Sequence, residues 1–136
     1  MTTSSENQTM IQKIGQIAVP VTDLQRAVEF YRNALELPFL FQAPPGLAFF
    51  SCGEVRLLLD AAVEPTTERC SSIIYFQVEK IYAACKKIES HGVVLEQPPH
   101  LIAHMGTHDL WMAFFRDPDG NLLGLMCEVT PDSTPA

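Results

Sequence analysis

The chain carries one pattern twice. Ala48-Phe49-Phe50 is followed by a glycine turn and the apolar run Val55 to Leu59. Ala113-Phe114-Phe115 is followed by another glycine turn and the apolar run Leu122 to Met126. Upstream of each copy a strand-like stretch closes on a valine, Val21 or Val78, and leads into an amphipathic helix pattern. A repeat of this size means two copies of one supersecondary unit sharing a core, with a site where the copies face each other.

Each copy reads in the same order. Gln12 to Val21 is a strand with Ile14, Ile17, Val19 and Val21 as apolar positions. Thr22-Asp23 supplies a helix N-cap, Thr22 with Gln25 fits a capping box, and Leu24, Ala27, Val28, Tyr31 and Leu35 then fall on one helical face. Pro38 ends that helix, and strands are expected at Phe39 to Gln42, Leu47 to Ser51 and Val55 to Asp60. Polar Ala61 to Arg69, with Pro65, connects the copies. Ser72 to Val78 is the next strand and Glu79 to Ser90 the next helix, closed by His91-Gly92. Val93 to Gln97, Leu110 to Arg116 and Asn121 to Glu128 complete a second βαβββ unit.

With 136 residues, one domain over residues 10–129 is expected, its modules at about 12–60 and 71–128. The polar ends, 1–9 and 130–136, are expected to be disordered. A net charge of −7 argues against a nucleic-acid partner. No apolar run approaches the roughly 20 residues of a membrane span, and Met1 to Thr9 lacks a signal-peptide core, so the expected location is the cytoplasm. Cys52, Cys70, Cys85 and Cys127 show no CxxC spacing and read as free thiols.

The repeat also serves as a ruler. Val21 maps to Val78 and Ala48 to Ala113, so the second copy holds about eight extra residues, which fall around Pro98 to Asp109. His100, His104 and His108 lie there, three of the four histidines. Pro98, Pro99 and Gly106 make it a loop rather than a helix with histidines on one face. One of them, His100 or His108, is expected to overhang the site as hydrogen-bond donor or general base, because histidine titrates near neutrality.

Ile17-Ala18-Val19-Pro20-Val21-Thr22-Asp23-Leu24-Gln25-Arg26-Ala27-Val28-Glu29-Phe30-Tyr31 resembles the opening module of the vicinal oxygen chelate superfamily. That group holds glyoxalase I, bleomycin resistance proteins, extradiol dioxygenases and methylmalonyl-CoA epimerase. Phe115-Arg116-Asp117-Pro118-Asp119-Gly120-Asn121 resembles its C-terminal hairpin signature, and the resemblance covers roughly Ile14 to Glu128. It implies an α+β fold: two tandem βαβββ modules whose curled mixed sheets enclose a cavity, paired within one chain or across a homodimer. The Asp-Pro-Asp-Gly residues read as structural, a tight turn whose carboxylates accept backbone N–H groups. Glu36 stands where the family usually has glycine, and the helix is expected to end without a left-handed residue there.

Metal-dependent members place His, Gln or Glu on inner strands of both modules. Carried over, those positions are Gln16, Ile73 as its repeat counterpart, Gly124 where glutamate is typical, and Leu57 if Gly53 is matched to Gly120. Only Gln16 can donate an electron pair, and a catalytic metal needs about three protein ligands. No metal site and no cofactor are therefore expected, and a divalent metal is disfavoured. By strand alternation the cavity would be lined by Gln16, Ala18 and Pro20, by Val55, Leu57 and Leu59, by Ile73, Tyr75 and Gln77, and by Leu122, Gly124 and Met126. Trp111 would add an aromatic wall. The expected function is a homodimeric protein that binds an apolar or aromatic small molecule. The alternative is a lyase, isomerase or dioxygenase-type enzyme of the same superfamily, using an atypical metal set or a loop histidine as base.

Overall fold

The computed structural model describes residue 10 and residues 13–62, 72–133 and 135–136. The polar N-terminus, the Pro65 connector and Cys70 lie outside the described residues. Among those described, the order is β1 (Gln16–Pro20), α1 (Leu24–Glu29), β2 (Phe39–Ala43), β3 (Leu47–Cys52), β4 (Val55–Asp60), β5 (Ile74–Gln77), α2 (Ile81–Glu89), β6 (Leu95–His104), β7 (Asp109–Arg116) and β8 (Leu122–Val129). This is βαβββ twice, in two four-stranded sheets ordered β1-β4-β3-β2 and β5-β8-β7-β6. In each sheet the first strand pairs parallel with the last, and the rest are antiparallel. The sheets do not close into a barrel. No helix among the described residues is long and apolar enough to cross a membrane.

One face of each sheet packs against the helices, and the two packed faces share a core. Val19, Ala48, Phe50, Leu57 and Leu59 enter it from the first sheet, and Ala113, Phe115, Leu123, Leu125 and Cys127 from the second. Val28 and Tyr31 come from the first helix, and Ile81, Cys85 and Ile88 from α2. Phe30 meets Phe115 at 6.4 Å between ring centroids, so the modules touch through aromatic packing.

The Asp117–Asn121 turn fastens the modules together. Asp117 is buried, and its carboxylate accepts from the amides of Asp119 and Asn121, from Asn121 Nδ2 and from the Tyr31 hydroxyl, at 2.8–2.9 Å. Asn121 Nδ2 also donates to the Pro20 carbonyl, at the end of β1. Asp119 Oδ1 accepts from the amide and hydroxyl of Thr22, at 2.7 and 2.6 Å, and from Arg26. The structural reading of these aspartates holds, with a longer reach than a local turn requires.

Several local expectations are corrected. Of the expected Thr22-Asp23 cap, Asp23 does cap α1 by accepting from the Arg26 amide, whereas the Thr22 hydroxyl is held by Asp119 and forms no capping box. The helix widens at its end, where the Leu35 amide reaches back five residues to the Phe30 carbonyl and Leu37 bonds to Tyr31. Glu36 does adopt the left-handed conformation, with φ 58°. The histidine segment is strand as far as His104 and a turn only beyond it. Strand β6 runs through Pro98 and Pro99 to His104, pairing with β7 across three register irregularities. Proline is tolerated there because β6 is an edge strand, where a missing N–H breaks no inner ladder. Beyond β8, the Ser133 amide donates to the Thr130 carbonyl, and the Pro135 carbonyl accepts from the Tyr82 amide.

Three outcomes test these features. Tyr31→Phe leaves packing intact but removes a hydrogen bond to a buried carboxylate, so denaturant unfolding should show a loss of about 2 kcal/mol. Burial and the adjacent Asp117 hold the Tyr31 hydroxyl well above its ordinary pKa of 10. A group raised on folding stabilises fully below its unfolded pKa and loses that contribution as pH climbs above it. Stability of the parent chain should therefore fall more steeply above about pH 10 than that of Tyr31→Phe. Glu36→Gly relieves a left-handed non-glycine residue at the loss of an exposed ion pair with Lys87. It should raise stability by up to about 1 kcal/mol in the same assay.

Candidate functional site

The face of each sheet opposite the helices is left uncovered by its own module, and strand register determines what lies there. On the second sheet, Tyr75 pairs with Gly124, Gln77 with Met126, and Phe114 with Gly124. Ile73, Tyr75, Gln77, Leu122, Gly124 and Met126 therefore share one face, as the alternation expected. Leu123, Leu125 and Cys127 point to the core. On the first sheet, Gln16 pairs with Arg56 and Ala18 with Leu58. Arg56, Leu58 and Asp60 thus share the face of Gln16, Ala18 and Pro20, and the alternation expected for β4 is corrected by one residue.

The cause is turn length. Ser51 pairs with Arg56 across four intervening residues, whereas Arg116 pairs with Leu122 across five. Matching Gly53 to Gly120 therefore slips the ruler by one. The counterpart of Gly124 is Leu58; Leu57 is 2 % exposed and buried against the helices. Trp111 is also corrected. It lies on the helix side, edge-on to Tyr82 of α2 at 6.3 Å.

The second sheet's open face carries a cleft of about 210 Å³ lined by Ile73, Tyr75, Glu96, Gln97, Phe114 and Leu122. Its walls are aromatic: Tyr75 meets Phe114 edge-on at 5.9 Å, and His100 lies 6.4 Å from Phe114. Gly124 makes this possible. A Cβ there would stand 2.7 Å from Tyr75 Cδ1 and 3.0 Å from Cε1, so the Tyr75 ring occupies the space of the missing side chain.

Of the two candidate catalytic histidines, one reaches this face. His100 pairs with Met112. Its Nδ1 lies 2.8 Å from the Pro98 carbonyl, which can only accept. The neutral ring therefore carries its proton on Nδ1 and leaves Nε2 as an acceptor. His108 sits in the β6–β7 turn and bonds to its neighbour Thr107. It is four residues along β7 from Met112, roughly 13 Å at about 3.3 Å per residue, so the two histidines do not converge.

On the first sheet's open face the polar group is Gln16, whose Oε1 accepts from Arg56 Nε at 2.8 Å. The Arg56 guanidinium stands over the Phe49 ring at 5.4 Å, and Phe49 stacks on Phe41 at 4.6 Å. The side chains at the corrected positions are thus Gln16, Leu58, Ile73 and Gly124. Arg56 was missed from sequence because it occupied the wrong face in the slipped register.

A second concavity, about 260 Å³, opens between the modules on the helix side, lined by Leu35, Leu37, Cys52, Val78, Ile88 and Leu125 among others. It lies where the copies differ: Ile88 stands in α2 at the repeat position of Tyr31, and Cys52 follows β3's Ser51 as Asp117 follows Arg116. The shorter side chains do not bridge the seam. Burial raises the thiols of Cys52, Cys85 and Cys127, Cys85 to about 11 with help from Glu89. They are therefore protonated at neutral pH and poor nucleophiles.

The model of the Glyoxalase/Bleomycin resistance protein/Dioxygenase superfamily matches residues 13–125. YraH of Bacillus subtilis (strain 168), described as uncharacterized, is 29% identical over 124 residues, which cover 82% of this chain and 94% of that protein. Among solved structures, TnmS3, an antibiotic binding protein from Streptomyces sp. CB03234, superposes with a TM-score of 0.71 at 23% identity, covering 90% of this chain and 100% of that one. Lactoylglutathione lyase from Agrobacterium tumefaciens gives 0.66 at 20% identity, covering 88% and 96%. The doubled βαβββ unit, its open sheet faces and the Asp-Pro-Asp-Gly turn agree with the sequence match, and the chain belongs to the glyoxalase/bleomycin resistance protein/dioxygenase superfamily.

Proposed function

We propose that this protein binds an apolar or aromatic small molecule against its open sheet faces and holds no resident metal there. The observation that carries the reading is the cleft lined by Tyr75 and Phe114, with the Tyr75 ring seated over Gly124 and His100 6.4 Å from the Phe114 ring. An apolar pocket with a few polar groups at its edge, here Gln97 and Glu96, is the usual constitution of a small-molecule site. TnmS3, of the same fold, is an antibiotic binding protein, which lends the reading support.

The residues present do not fit the divalent ion that metal-dependent members hold. Of Gln16, Leu58, Ile73 and Gly124, only Gln16 offers an oxygen, and that oxygen already accepts from a guanidinium. A fixed positive charge beside the one donor opposes a second cation.

In this reading two copies pair so that their open faces meet. Phe41 and Tyr75, 48% and 40% exposed, lie on those faces and are covered by such an arrangement. A second, catalytic reading rests on His100, whose Nε2 is free to take a proton from a ligand seated against Phe114.

The test uses chelator-treated protein and thermal shift with naphthalene-type probes, with S-methylglutathione as the contrast. The aromatic probes should raise Tm and the glutathione adduct should not. Gly124→Ala should push the Tyr75 ring out of its place, weaken probe binding about tenfold and lower stability by about 1 kcal/mol. Adding Tyr75→Ala should recover the stability lost to the clash, a coupling expected of side chains in contact. Stoichiometric metal uptake with turnover of a glutathione hemithioacetal would sink the binding reading. His100→Ala that binds probe unchanged but loses a measured turnover would favour the catalytic one.

A further inference from the structure

Resting on the binding reading, we infer that the first sheet's open face is an anion anchor: Arg56 receives a carboxylate, and the bound ligand is an aromatic or apolar monocarboxylate. Gln16 stands where metal-dependent members of the superfamily place a ligand, yet its oxygen accepts from Arg56 Nε at 2.8 Å. The site therefore presents a fixed cation instead of holding a mobile one.

Arg56 is held on two sides. Gln16 takes the Nε–H, and the Phe49 ring lies beneath the guanidinium at 5.4 Å, itself stacked on Phe41. A guanidinium fixed at Nε and over an aromatic face keeps its terminal N–H groups in one plane, the geometry that takes a carboxylate in two parallel hydrogen bonds. The side chain is already ordered, so binding loses less rotamer entropy than at a free surface arginine.

The neighbouring rung gives the ligand's body its place. Ala18, Leu58 and Phe49 are adjacent across β1, β4 and β3, next to Arg56 on the same face. Asp60 lies further along β4, four residues from Arg56 and roughly 13 Å away, and disfavours a second carboxylate at the far end. In the second module the position of Arg56 is taken by Leu122, so the anchor belongs to one copy.

The experiment compares 2-naphthoate with its uncharged amide by calorimetry, at low and high salt. Naphthoate should bind about tenfold more tightly than the amide, and the advantage should shrink with salt. Arg56→Gln should abolish the difference while leaving Tm unchanged, because the residue is exposed and outside the core. Arg56→Lys should retain only part of it, since an ammonium cannot make the paired contact. Equal binding of both probes by the parent chain would overturn the anchor and leave small-molecule binding standing. Failure of both probes to bind would overturn the two together. Stoichiometric zinc binding lost on Gln16→Ala would also overturn the anchor.

Discussion

Asp117 accepts four hydrogen bonds from two parts of the chain: two backbone amides and an amide side chain of its own turn, and the hydroxyl of Tyr31 in the other module. A buried carboxylate without such donors costs several kcal/mol, so the turn, the first helix and the end of β1 must come together for any of them to be stable. Asp119 adds a second tie through Thr22 and Arg26. With the helices placed against the sheets by this junction, both opposite faces are left open. The site is therefore a consequence of how the modules are joined.

The junction is made once although the fold is made twice. At the repeat-related seam, Ile88 and Cys52 stand where Tyr31 and Asp117 stand, and a crevice remains. Glu36 and Lys87 pair across that side, but both are half exposed and such pairs contribute little. The chain thus has one tight inter-module contact and one loose one.

Much of this was legible in the sequence. Two periodicities, 3.6 for the helices and 2 for the strands, with the doubled Ala-Phe-Phe motif, were enough for the βαβββ order and most element boundaries. What escaped depended on partners distant in sequence or on single-residue counts. Thr22 looks like a cap until Asp119, 97 residues away, claims its hydroxyl. Two glycines look equivalent until their turns prove to differ by one residue, which moves Leu57 to the core and brings Arg56 to the open face. Pro98-Pro99 reads as a loop until the strand is seen to be an edge.

The corrected register shows how the two copies exchange volume at one place. Ala18 pairs with Leu58 in the first sheet, and Tyr75 with Gly124 in the second. Each pair sets a small residue beside a large one, but the large one has moved from the last strand to the first. In the second module the bulk therefore comes from β5, and β8 must be bare to admit it, since a Cβ on residue 124 would stand 2.7 Å from the ring. A carboxylate at that position and the Tyr75 ring in its present place exclude each other. In the first module the Gln16 oxygen accepts from Arg56 instead. In the proposed reading, the positions expected to hold metal ligands serve instead as an aromatic wall in one copy and carry a guanidinium on the Gln16 oxygen in the other.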